Sequence, residues 1–122
     1  MKCTVCTKSI ESHEAGRETD RCVAEKLGYK FHQPIPGHWI CGSDEAAIAP
    51  DGGGIFCVPC QGIPSYSEDI QDAWGLVEKM NNIDMSISHL GIRIWFGENL
   101  GEQAEAPTAP LAISRAFLAE RG

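Results

Sequence analysis

The chain has 122 residues, 43% of them hydrophobic and 22% charged, which suits one globular domain over residues 1–122. No apolar run approaches the roughly 20 residues needed to cross a bilayer, so a helical membrane span is excluded. Seventeen acidic against ten basic residues give a formal charge of -7, a field that repels phosphate backbones and argues against general nucleic-acid binding. Met1 to Lys8 lacks the apolar stretch of an export signal, and the expected compartment is the cytoplasm.

The first feature along the chain is a C-x-x-C pair, Cys3 and Cys6, matched later by Cys57 and Cys60. Six cysteines in a chain without an export signal are expected to be reduced thiols, which turns attention from disulfides to metal. Two such pairs can complete a tetrahedral zinc site, and Cys3, Cys6, Cys57 and Cys60 are the expected ligands of one structural zinc. About fifty residues separate the pairs, longer than the usual zinc-ribbon gap, and Cys41, His13, His32 and His38 compete as donors. A thioredoxin-like reading fails, because neither pair opens a helix after a buried strand. Cys22 reads as a small core residue.

Ser9 to Leu27 reads as the first helix, stopped by Gly28 in the left-handed position that follows a helix end. Its stripe contains Ile10, His13, Arg17, Asp20, Ala24 and Leu27, so two charges share the apolar face. They form either an i,i+3 ion pair at the edge of that face or a polar cluster lining a cleft. Tyr29 to Gln61 is irregular, with short strands around Gly37–Cys41 and Gly54–Val58. Gly52, Gly53 and Gly54 read as a hairpin turn, since the lysine and hydroxyl residue of a phosphate-binding loop do not follow them.

The second helix is capped at Ser67 and carries Ile70, Ala73, Trp74, Val77 and Met80 as its apolar stripe, ending near Asn81 and Asn82. Ser86–Leu90 and Ile92–Phe96 read as two strands joined at Gly91, or as one bulged strand. Gly97 to Ala106 reads as an acidic loop, and its Glu98, Glu102 and Glu105 as a solvated face. The third helix starts around Thr108–Pro110 and runs through Arg121, apolar around almost its whole circumference. Arg115 interrupts that surface. The fold class that follows is α+β: a small antiparallel sheet, built from the middle region and residues 86 to 96, packed with three helices over a zinc knuckle. Trp74, Val77, Leu111, Phe117 and Leu118 are the expected core.

Three blocks of sequence carry a resemblance. Glu14-Ala15-Gly16-Arg17-Glu18-Thr19-Asp20 with Val23-Ala24-Glu25-Lys26, Pro64-Ser65-Tyr66-Ser67-Glu68-Asp69-Ile70 with Ala73-Trp74, and Thr108-Ala109-Pro110-Leu111-Ala112-Ile113-Ser114-Arg115-Ala116 are similar to the phage ABA-sandwich-domain family of small phage and prophage proteins. The resemblance implies an α/β sandwich and a phage accessory protein. It implies no catalytic machinery and adds nothing to the zinc reading. Its motifs group Arg17, Tyr66 and Arg115, two guanidinium groups and an aromatic ring suited to an anionic planar ligand such as a nucleotide. The plainer expectation is that these arginines serve as structural clamps, with Arg115 paired to Asp20. The expected function is binding without chemistry of its own, either inhibiting a host protein, as in counter-defence, or sequestering a small nucleotide. A structural subunit of a phage assembly and a metal-dependent hydrolase are the alternatives. Four thiolates would close the zinc site and speak against hydrolysis.

Overall fold

The computed structural model of the chain describes residues 1–32, 46–50, 55–58, 62–80 and 82–120. After a short 3-10 turn at Ile10–Ser12 come helix α1 (Arg17–Leu27) and strands β1 (Lys30–His32), β2 (Ala46–Ile48) and β3 (Ile55–Cys57). Helix α2 (Ile70–Val77), strands β4 (Ile83–Ser88), β5 (Gly91–Phe96) and β6 (Glu102–Ala106), and helix α3 (Ala109–Ala119) complete the fold. The class is α+β, as the sequence indicates, but the strands form two antiparallel three-stranded sheets, β1-β2-β3 and β4-β5-β6, rather than one. Among the described residues, no helix is long and apolar enough to cross a membrane.

Helix α3 is the element around which the others are arranged. Pro110 sits in its first turn, where the missing N–H costs nothing. Every residue from Leu111 to Ala119 is buried, because the helix contacts α1, α2, β5, β6 and the 3-10 turn. An apolar surface all round a helix needs cover on all sides, and here it has it. Leu111, Phe117 and Leu118 are in the core as expected, and Val77 packs against it half-buried.

The long helix expected from Ser9 to Leu27 is divided. The chain is extended at His13 and turns at Gly16, whose φ of 147° is a region that side chains avoid, so α1 begins only at Arg17. Gly28 ends it in the left-handed conformation, with φ 109°, as its position in the sequence indicates.

Helix α2 is capped by Asp69, two residues later than expected, whose side chain accepts from the backbone N–H groups of Gln71 and Asp72. Its buried residues are Ala73 and Leu76, and Met80 just beyond it is buried too, on the same side. Trp74, one position round from Ala73, is turned outward and is 53% exposed, so its expected place in the core is corrected.

Strands β4 and β5 form a hairpin in which Ser88 faces Gly91 across the two-residue turn His89–Leu90. A Cβ at Gly91 would stand 2.9 Å from the carbonyl oxygen of Ala106, which the passing end of β6 does not allow. The expected acidic loop at 97–106 is in part this edge strand. Ala104 and Ala106 alternate inward while Gln103 and Glu105 point out, and Glu105 pairs with Arg93 on β5 at 2.6 Å. Of its acidic residues, Glu105 lies on the outer face of the strand and Glu98 in a 3-10 turn before it.

Leu76→Ala is expected to cost about 2–5 kcal/mol, because a fully buried side chain leaves a cavity. Trp74→Ala is expected to change stability by less than about 1 kcal/mol, in keeping with a largely exposed position. Urea unfolding of the two variants checks the assignment of the inner face of α2.

Candidate metal centre

The first nine residues fold back on themselves through an antiparallel bridge between Lys2 and Ser9. Cys3 N–H donates to the Lys8 carbonyl at 2.8 Å, and Thr7 N–H to the Cys3 carbonyl at 3.1 Å. The turn closes at Thr7 with a φ of 63°, a left-handed conformation costly for a β-branched residue. Val5 N–H points at the Cys3 sulfur at 3.4 Å. The turn therefore brings Cys3 and Cys6 round to one side.

Two more donors meet them there. Cys6 Sγ lies 3.3 Å from His13 Nε2, and the sulfur of Cys22, from the middle of α1, completes a group whose four donor atoms all lie within 4.8 Å of one another. A tetrahedral shell with metal–sulfur bonds of about 2.3 Å has edges of about 3.8 Å, so the group needs only a small contraction to close on one ion. These four residues could hold a metal ion.

The contacts of His13 favour one tautomer. Thr19 Oγ1 donates its proton to the Glu14 carbonyl and stands 3.4 Å from His13 Nδ1, so it can only accept there. In that tautomer Nδ1 carries the hydrogen and the Nε2 lone pair faces the sulfurs, the arrangement that a metal-binding imidazole requires. Burial, with the charges of Lys8 and Arg115, lowers the His13 pKa and favours the neutral ring.

The thiols are driven apart. Burial pushes Cys22 up to about 12, and the neighbouring Cys3 and Cys6 add to that shift. Burial also opposes ionisation of Cys6, but hydrogen bonds from the Lys8 backbone and from the thiols of Cys3 and Cys22, with the Lys8 charge, outweigh it and bring its pKa below the ordinary thiol value. Crowded sulfurs ionise together only beside a cation. An open groove of about 640 Å³ runs past Cys6, His13, Arg17 and Cys22 and gives an ion a way in.

Of the expected zinc ligands, Cys3 and Cys6 are in this group. The side chain of Cys57, on β3, and all of Cys60 lie outside the described residues, as do Cys41, His38 and the side chain of His32. His13, a competing donor in the sequence, takes part, and Cys22, read as a core residue, is half-buried with its sulfur in the group. The signal that could have found it is the short spacing C-x2-C-x6-H-x8-C over residues 3–22.

Arg17, Tyr66 and Arg115 occupy three different settings. Arg17 is exposed at the start of α1. Tyr66 is in the core, where burial and its hydrogen bond with Tyr29 push its phenol above the usual value. Arg115 is 8% exposed and does not pair with Asp20. Its Nε donates to the His13 carbonyl at 2.8 Å, and its terminal nitrogens to the Glu105 and Glu11 carbonyls at 2.7 and 3.3 Å. Asp20 instead accepts from the backbone N–H and the hydroxyl of Ser67, at 2.7 and 2.6 Å. Burial raises its carboxyl pKa against those two bonds.

Arg115→Ala is expected to cost about 3–5 kcal/mol, since it strands three carbonyls in two segments. Arg115→Lys is expected to recover less than half of that, because an ammonium group cannot reproduce the planar fork. Denaturant unfolding measures both.

Among curated proteins and among solved structures, no significant match to the chain is found. The family model of the Phage ABA sandwich domain matches residues 21–118, from within α1 to the last turn of α3. Cys3, Cys6 and His13 precede that region, and only Cys22 falls inside it. The match takes in most of the chain, with all of β1 to β6 and α2, and the protein belongs to the Phage ABA sandwich domain family.

Proposed function

We propose that the protein is a small phage or prophage accessory protein that acts in the host cytoplasm by binding a host protein, with no chemistry of its own. The observation that supports this reading is the outer face of α2. Trp74 is 53% exposed and Ile70 43% exposed, on a helix whose cap and inner face are both fixed. An indole held out from an ordered helix offers a large apolar area at little cost in conformational entropy, the character of a binding hot spot. The alternative target, a small anionic ligand, would rest on Arg17, Tyr66 and Arg115, and of these Arg17 alone is exposed.

A second reading, a structural subunit of a phage assembly, draws on the tip of the β4–β5 hairpin, where Ile87 is 73% and Leu90 86% exposed. Apolar residues at a hairpin tip suit contact between subunits. Mass in solution separates the readings, since a closed oligomer supports the assembly and a monomer supports the accessory protein.

The test is capture of partners from phage-infected host cells by the wild-type chain and by Trp74→Ala. The variant is expected to keep the wild-type melting temperature and to lose its partner by at least about thirtyfold, the effect of truncating a hot-spot residue. Equal capture by the two proteins overturns the assignment to α2. A parallel screen of nucleotides for thermal stabilisation tests the anionic ligand.

A further inference from the structure

We propose that Cys3, Cys6, His13 and Cys22 form a closed structural zinc site that fastens the N-terminal segment onto α1. It stands independently of what the protein binds. Three sulfurs and one imidazole nitrogen within 4.8 Å are a donor set for a borderline-soft, tetrahedral ion. Hard cations such as magnesium and calcium take oxygen donors, and the group has none. Four protein donors fill a tetrahedral shell and leave no position for water or substrate, which makes the site structural rather than catalytic.

The surroundings are built as ligand supports. His13 has its second ring nitrogen held by Thr19, which fixes the plane of the imidazole. Cys3 receives the Val5 N–H on its sulfur, a contact that orients the side chain. Thr7 holds a left-handed turn immediately after Cys6, and backbone strain of that kind persists where the surroundings enforce it.

The segment has little apolar burial of its own. Of residues 1–16, Cys3, Ile10 and His13 are the buried ones. So small an apolar contact cannot order sixteen residues by burial alone, and small units of this kind are completed by metal or disulfide. Cys3, Cys6 and His13 bring this segment to the ion, and Cys22 brings α1. The family match begins at residue 21, so three of the four donors precede the matched region.

The experiment uses the full chain purified without chelator. Elemental analysis is expected to give about one zinc per chain, and X-ray absorption three sulfurs at about 2.3 Å and one nitrogen at about 2.0 Å. Cys22→Ser is expected to lose at least tenfold in zinc affinity, whereas the double variant Cys57→Ser, Cys60→Ser keeps a full equivalent. Chelation is expected to lower the melting temperature by more than about 5 °C. A shell of four sulfurs, loss of the metal in the Cys57, Cys60 double variant, or metal-free protein with all six thiols titratable would overturn the proposal. Should Cys22→Ser fail to fold, the absorption spectrum of the wild type and the metal content of the double variant still decide it.

Discussion

Arg115 is buried in the middle of a helix that is otherwise almost wholly apolar, and its guanidinium reaches the carbonyls of Glu11, His13 and Glu105. Desolvating a charge costs several kcal/mol, and it is tolerated here because the fork finds oxygen acceptors in each direction, with the Glu14 carboxylate at 3.9 Å beyond them. Those acceptors belong to the N-terminal segment and to the end of β6, segments nearly a hundred residues apart. Their convergence on one side chain determines how the first turn of chain lies against the second sheet. The burial of Ile10 depends on that placement, as does the approach of the 3-10 turn to α3.

The far end of α3 is held in a comparable way. The last carbonyls of a helix have no partners within it. Thr4 supplies two bonds to the Leu118 carbonyl, from its backbone N–H and its hydroxyl, both at 2.8 Å. Lys26, from the last turn of α1, donates to the carbonyls of Phe117 and Glu120 and lies over the Phe117 ring. Burial pulls the Lys26 pKa down while the Glu120 charge draws it back. With Asp20 bound to Ser67, each charge that the sequence places on an apolar stripe, except Arg17, joins one element to another. Arg17 stays at the surface because the helix begins with it.

Periodicity and capping residues made much of this legible in the sequence. The burial of α3, the end of α1 at Gly28 and the presence of a β4–β5 hairpin follow from local rules about apolar spacing and left-handed turns, although the turn falls at His89–Leu90 and Gly91 opens the second strand. What could not be read depended on distant partners. Trp74 is as apolar as any core residue, and only the packing of Ala73 and Leu76 against the interior determines which side of α2 faces out. Strand β6 is hidden because its outward residues, Gln103 and Glu105, are polar, and its pairing comes from β5 rather than from its own propensity. Cys22 shows the same limit, since a half-buried helical cysteine reads as packing until the N-terminal turn is seen to deliver three donors to it.

The clamp and the donor group share residues. His13 offers its carbonyl to Arg115 and its ring to the sulfurs, and Cys3 adjoins the Thr4 that caps α3. Backbone and side chains of one short segment are thus fixed from opposite sides, the first by a guanidinium that needs no cofactor. The segment can therefore hold its donors near one another before an ion arrives, which reduces the ordering that binding must cause. None of these contacts involves Trp74 or Ile70. The outer face of α2 can change its residues without disturbing Arg115, Asp20 or the cysteines, so a surface free to vary coexists with an interior held by polar bonds at fixed positions.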